Sequence, residues 1–474
     1  MDQFEVLERA LREGRITRRD FVVRAAAAGL SFTAIGAILA ACGFGSSTST
    51  AQDPSNGESQ DPSGNSASIK GDPNLQAELT FWGWYNVVPK AIVPDFQKLF
   101  PKVTFRFVDF SNPDTHTQLI TTLNAGRGAP DISMLQDRDA PRFWNLGLVD
   151  VTKAVSPYQS DFPTYKWKKV IRPSGMIQAV PWESGPVAFA YRRDIFQKYG
   201  IDPQQINTYD DYIQAGKHLV SASSGKVHML ISNIAENPNG MQISLTADWA
   251  MLTQQNGGQY FSSDGKVTIK TPQAVEALSM LKRFRDEGIT LNDLASAQAE
   301  IDTMTSGTVA TYYSPMWWTG YPKGLAPNTS GAWGAFKIPA FKSGGARASN
   351  RGGTSLAITS QSKNAHAAWE FARFWLLTVQ GRTLSEEAGK IFEACFLPAA
   401  KDSYFNQPDQ FFGGLQIFPF FSQVAQDAPP FPESPLLPEM ETSFQSKLPD
   451  FLSGKKDAAT VVSEVHSEVQ NQAG

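Results

Sequence analysis

The 474-residue chain predicts an α/β fold built as two large lobes. Three observations carry that expectation. From Leu75 onward, short β-like runs alternate with segments of helical periodicity, the pattern of a sheet covered by helices. The body that follows residue 41 is too long for one core of ordinary size and suits two. Several of the helical segments also carry their own start and stop signals. No internal repeat is found.

The elements follow in order along the chain. Thr17-Arg18-Arg19-Asp20-Phe21-Val22-Val23-Arg24 resembles a twin-arginine export signal, with Arg18 and Arg19 as its pair, and 25–41 is a small, apolar stretch. Leu39-Ala40-Ala41-Cys42 closes it in the manner of a lipobox, so 1–41 are expected to be a signal peptide and Cys42 the lipidated residue. That would leave the domain tethered to the outer face of the cell membrane. A single transmembrane anchor is disfavoured, because 17 uncharged residues rich in Ala, Gly, Ser and Thr are short and weakly apolar for a span of about 30 Å. Residues 43–74 hold hardly an apolar side chain and read as a disordered tether reaching roughly 30 Å on average.

Strands are expected at 79–85, 103–110, 131–135, 187–191, 309–314 and 355–359, each rich in β-branched or apolar residues. Thr208-Tyr209-Asp210-Asp211 resembles a capping box and opens a helix reaching about Val220. Thr271-Pro272 supplies an N-cap and a proline at the first helical position, Leu278, Leu281 and Phe284 keep helical spacing, and Gly288 stops the run. From Ala365 onward, Ala368, Phe371, Ala372, Trp375 and Leu376 share one face, with Trp375 in the core. Val461, Val465 and Val469 stripe a last helix over 458–469.

Composition narrows the function. The formal net charge is −4, and no basic surplus suggests nucleic acid. Charged residues are only 19% of the chain against 11% aromatic, and tryptophans cluster at 82 and 84 and at 317 and 318, which suits stacking on something flat. Cys395 is the only other cysteine; with Cys42 lipidated it has no intramolecular partner and reads as a small buried hydrophobe. Gly353-Thr354-Ser355-Leu356-Ala357 lacks the last glycine of a nucleophile elbow and sits where a strand begins. The five His, at 116, 218, 228, 366 and 466, are too scattered for a metal site, and no phosphate-binding loop occurs. No cofactor or metal is expected and the chain reads as a non-enzyme, although a glycosidase carboxylate pair is a distance and not a spacing, so it stays open.

The order of motifs resembles the sugar-binding, family 1 branch of the extracellular solute-binding proteins of ABC importers, which includes maltodextrin-binding protein. Leu79-Thr80-Phe81-Trp82-Gly83-Trp84-Tyr85 is similar to its aromatic-ended first strand, and Gly128-Ala129-Pro130-Asp131-Ile132 to its loop-strand entry. Val180-Pro181-Trp182-Glu183-Ser184-Gly185-Pro186, Ala190-Tyr191-Arg192-Arg193-Asp194-Ile195-Phe196 and Thr208-Tyr209-Asp210-Asp211-Tyr212 match its crossover and the two segments after it, with Arg192 in place of the usual Asn. Gly257-Gly258, Asp264-Gly265-Lys266-Val267, Tyr313-Ser314-Pro315-Met316-Trp317-Trp318 and Gly352-Gly353-Thr354-Ser355 follow in register.

The resemblance implies a two-lobed periplasmic-binding-protein fold of type II, closing by hinge motion over a ligand. Crossings are expected at 183–187, 335–339 and 400–413, giving one lobe of 75–184 with 337–402 and another of 185–336 with 403–474. It also implies a monomeric receptor that hands a mono- or oligosaccharide to importer permease subunits. The same fold could carry a polyol phosphate, polyamine or peptide, and a secreted glycoside hydrolase is the alternative from another class. Sugar recognition needs aromatic platforms and planar polar groups. The candidates for the first are Trp84, Tyr85, Trp182, Trp249, Trp317 and Trp318, with one member of each of the pairs 84/85 and 317/318, and Trp182 and Trp249 as well, open to being core. Those for the second are Asp137, Arg138, Glu183 and Arg351, with Gly353 beside them.

Overall fold

The computed structural model describes residues 69–237, 241, 243–389 and 395–472. The expectations for Arg18, Arg19, Cys42 and the tether up to residue 68 lie outside the described residues. Strands β1 (Gln76–Gly83), β2 (Lys102–Asp109) and β3 (Ile132–Gln136) form a parallel group with β1 in the middle, linked through helices α1 (Val87–Leu99) and α2 (Asn112–Asn124). Four of the five β3 residues are buried, as befits a strand covered on both faces. Val88, Ile92 and Phe96 bring the apolar stripe of α1 onto that sheet.

Strand β4 (Val180–Arg192) is the spine of the molecule. Its first half pairs antiparallel with β9 (Asn350–Ile358), which in turn lies against β3. Its second half pairs with β7 (Thr311–Pro315) on one side and β8 (Trp333–Lys337) on the other. One curled seven-stranded sheet therefore runs through both halves of the protein, and a separate pair, β5 (Leu230–Ser232) and β6 (Thr290–Asn292), stands beside it. Between the halves the β4–β9 register shifts at Pro181/Glu183 and again at Ser184/Pro186. A side chain at Gly185 would place its Cβ 1.8 Å from the Arg351 carbonyl oxygen, so only glycine lets the two strands approach there.

The alternation of β4 sorts side chains between two hydrophobic clusters. Ala188 and Ala190, with Tyr312 and Trp333 of the neighbouring strands, join a cluster that runs back to β1 and β3. Val187, Phe189, Tyr313 and Phe336 face the other way, into a second cluster. After β3 come α3 (Thr152–Val155) and α4 (Thr164–Val170); after β4 come α5 (Arg193–Lys198), α6 (Tyr209–Ala222), α7 (Leu245–Gln255), α8 (Pro272–Asp286), α9 (Ala297–Ser306) and α10 (Gly320–Leu325). The chain ends in α11 (Ala365–Leu376), α12 (Val379–Gly389), α13 (Ile417–Asp427), α14 (Leu437–Leu452) and α15 (Ala458–Gln472). α11 and α13 pack in the first cluster; α6, α7, α8, α14 and α15 build the second.

The expected caps form. Thr208 Oγ1 accepts from the Asp211 N–H at 3.2 Å while the Asp211 carboxylate accepts from the Thr208 N–H at 2.8 Å, and Thr271 Oγ1 accepts from the Ala274 N–H at 3.2 Å. All six expected strands exist, but the one expected at 187–191 is far longer, because β4 runs through the crossing instead of starting after it. Where the return was expected, at 335–339, residues 335–337 belong to β8 paired with the second half of β4, and β9 pairs with the first half of β4 from Asn350 onward. Farther on, the Leu397 N–H donates to the Asp161 carbonyl and the Gly331 N–H to the Phe411 carbonyl, so 397–411 spans from one half to the other.

Candidate ligand-binding cleft

Trp84, Tyr85, Asp137, Arg138, Glu183, Arg351 and Gly353 lie at or just after the C-terminal ends of β1 and β3 and along the paired β4 and β9. Ligands of open α/β sheets lie beyond such strand ends. Trp84, half-buried just after β1, packs edge-on against His116 of α2 at 5.4 Å. His116 Nε2 accepts from the Gln136 N–H at 3.1 Å, and its Nδ1 lies 3.7 Å from Asp139, so the ring pins the platform to the loop after β3. Burial drives this histidine down to about 4, with Asp139 opposing the shift, and the ring is therefore neutral at pH 7. Tyr85, also half-buried, has its hydroxyl pushed up by burial and by Glu386.

Asp137 is buried and fully engaged. It accepts from Lys166 Nζ at 2.6 Å and from Ser355 Oγ at 2.7 Å, and its own N–H donates to the Gly353 carbonyl at 2.9 Å. Lys166, wholly buried, also donates to the Thr354 carbonyl at 2.7 Å. Gly353 has φ of +129°, and a Cβ there would sit 2.3 Å from the Asp137 carboxylate. These contacts join Asp137 and Gly353 in one buried network that ties β3 and α4 to β9. Glu183 is buried at the register shift beside them.

Trp317 is half-buried and its indole N–H donates to the Arg351 carbonyl at 3.0 Å, with Gly352 and Gly185 leaving room for the ring. The Arg351 guanidinium meets Asp248 of α7 at 2.9 Å and lies 3.9 Å from half-exposed Glu236. Burial raises the Asp248 carboxyl to about 6 despite Arg351. Glu236 sits in a loop braced by buried Glu300, which accepts from Asn237 Nδ2 at 2.6 Å and the Met241 N–H at 2.8 Å. Arg138 pairs with Glu441 of α14, whose carboxyl is raised by burial against the pull of Arg138. Neither of two surface hollows of about 360 and 590 Å³, lined among others by Asn256 and Phe341 and by Lys282 and Phe451, holds a predicted site residue.

Three tryptophans left open between platform and core are buried. Trp182 is 2% exposed and packs on Trp375 at 4.8 Å. Trp249 is fully buried, lies 4.1 Å from Phe444 and donates to the Ala274 carbonyl at 2.9 Å. Trp318 is stacked on Tyr312 at 5.3 Å inside the first cluster. The contacts of the candidate residues also involve residues the sequence reading missed: His116, Lys166, Glu236, Asp248 and Glu441. Only Asp248 carried a local signal, as the neighbour of Trp249 in the first turn of α7.

A known family model, described as bacterial extracellular solute-binding protein, matches residues 84–381. The chain belongs to this family. A lactose-binding protein of Rhizobium radiobacter is 28% identical over 419 residues, which cover 84% of this chain and 92% of that one. An arabinooligosaccharide-binding protein of Bacillus subtilis strain 168 is 27% identical over 313 residues, 63% of this chain and 69% of that one. Among solved structures, the ABC transporter associated binding protein of B. animalis subsp. lactis Bl-04 in complex with β-1,6-galactobiose superposes with a TM-score of 0.67 at 22% identity, over 84% of this chain and 97% of that one. The fold is thus the two-lobed α/β architecture of family 1 solute-binding proteins, and the protein is an extracytoplasmic solute-binding protein. Among the described residues no helix is long and apolar enough to cross a membrane, and no group of three or more His, Cys, Asp or Glu could hold a metal ion.

Proposed function

We propose that the protein is the receptor of an ABC importer, which captures a mono- or oligosaccharide between its lobes, performs no covalent chemistry on it, and delivers it to permease subunits. The observation that carries this reading is the combination of half-buried Trp84 and Trp317 with the Arg351–Asp248–Glu236 group. Aromatic faces take the C–H faces of pyranose or furanose rings, and fork-shaped guanidinium or carboxylate groups take neighbouring hydroxyls. The names of the related lactose- and arabinooligosaccharide-binding proteins support the same class of ligand. In this reading the lobes meet along β4 at 183–187 and along β9 at 349–354. A lipid on Cys42, after export directed by Arg18 and Arg19, holds a monomeric receptor at the outer face of the membrane.

A thermal-shift screen against lactose, β-1,6-galactobiose, arabino-oligosaccharides and maltose tests the ligand class. A true ligand at 100 times its dissociation constant adds about 2.7 kcal/mol of stability. Stabilisation by spermidine or a peptide with none by any sugar would overturn the sugar reading, and cleavage of the bound sugar would overturn the receptor reading. The tether is tested separately: Cys42→Ala should be exported yet leave the membrane fraction on a salt wash.

A further inference from the structure

Two ion pairs bridge the lobes away from every covalent crossing. Lys169 lies on α4, whose Tyr165, Trp167 and Val170 pack in the first cluster. Its ammonium meets Glu433, donates to the Phe431 carbonyl at 2.6 Å and lies 5.7 Å from the Phe431 ring. Phe431 in turn packs in the second cluster, 5.2 Å from Tyr260. Arg138, just after β3, reaches Glu441 of α14, an element that also belongs to the second cluster through Met440 and Phe444. The Lys169 and Glu433 side chains are 7% and 11% exposed, so this pair is nearly desolvated, whereas Arg138 and Glu441 keep 35% and 24% of their surface in water.

Nothing in the hinge forces these contacts. β4, β9 and 397–411 carry the chain between the lobes elsewhere, so a molecule that opens about them must break both pairs and return four charges to water. We propose that Lys169–Glu433 and Arg138–Glu441 form a clasp across the cleft that favours the closed arrangement of the lobes and thereby tightens ligand binding. The inference rests on the reading of the cleft as the ligand site, but its first test needs no ligand. Apparent affinity scales with the fraction of molecules already in the binding-competent arrangement, so a clasp that raises this fraction raises affinity in proportion.

The test uses the full chain carrying spin labels at Lys98→Cys and Lys266→Cys, exposed positions on either lobe, and reads the distance between them. Glu433→Lys should shift the distribution to longer distances and Glu433→Gln should do so partly. The swap Lys169→Glu with Glu433→Lys should restore it, which a merely structural role would not. Lactose affinity should fall about three- to tenfold in Glu433→Gln. Identical distance distributions in parent and both single variants would overturn the clasp. A shifted distribution in a protein that does not bind lactose supports the clasp and counts only against lactose as ligand. Should the swap fail to fold, as seen by circular dichroism, the near-isosteric Glu433→Gln decides the question alone.

Discussion

Asp137, just after β3, and Asp248, on α7, are both buried carboxylates, and they are satisfied in opposite ways. Asp137 sits in a saturated network: Lys166 and Ser355 use its two oxygens, and Lys166 spends its remaining donors on Thr354 and Ser355. Asp248 has one strong partner, Arg351, whose guanidinium also lies near half-exposed Glu236. A saturated buried network fixes geometry, because removing any member strands a charge. A pair with an exposed third member can exchange partners at little cost, which is what a ligand contact requires. The β3 side is therefore frame and the α7 side is the adjustable wall.

The largest effect should follow from breaking the frame. Lys166→Met leaves the Asp137 carboxylate buried without its cation and should lower unfolding free energy by about 3–5 kcal/mol in urea titration. A loss below about 1 kcal/mol would make the two walls alike. Trp318→Ala should cost a similar amount, about 3–5 kcal/mol, because it empties a fully buried site between Tyr312 and Trp333.

Next in size is a pH signature confined to the adjustable wall. The Asp248 carboxyl is raised from 3.8 to about 6, so between those values the folded protein holds a proton the unfolded chain has released. Stability contributed by this group is largely present at pH 4 and falls by about 2 kcal/mol as pH rises to 6. His116 acts in the opposite sense: lowered from 6.5 to about 4, it destabilises the fold as pH falls through that window. The two slopes mask each other in the parent. Subtracting the Asp248→Asn curve from the parent curve isolates the first, and the difference should fall by about 2 kcal/mol from pH 4 to pH 6. Parallel curves would mean that burial does not raise the Asp248 carboxyl.

The same contrast explains what could be read from the sequence. Caps at Thr208 and Thr271 and the apolar stripes of α8, α11 and α15 were legible because their cause lies within a few residues. β4 was not, because Glu183-Ser184-Gly185-Pro186 reads as a turn; the strand continues through it only because β9 supplies partners more than 160 residues later. β8 was not foreseen for the same reason, since Trp333–Lys337 is a strand by virtue of lying against β4. Aromatic clusters showed where rings gather but not which side they face, so Trp182, Trp249 and Trp318 were left open between platform and core, and all three are buried. Lys166, Glu236 and Glu441 carry no local pattern at all; only the fold brings them to the cleft.

The tandem tryptophans put the comparison in adjacent residues. Trp318 turns into the first cluster, while Trp317 stands half-buried with its N–H tied to the Arg351 carbonyl, so backbone hydrogen bonding aims its ring and packing does not enclose it. Truncating Trp317 should therefore cost less buried contact than truncating Trp318 but remove a ring available to a ligand's apolar surface, worth about 1–3 kcal/mol of binding, or roughly tenfold to a hundredfold in affinity. Trp317→Ala should melt within a few degrees of the parent and bind its sugar correspondingly more weakly by calorimetry. Trp317→Phe, keeping a ring without the N–H, should recover part of that loss. If Trp317→Ala instead unfolds as early as Trp318→Ala while its folded fraction binds with parental affinity, both rings are frame, and the adjustable wall shrinks to the Arg351 group alone.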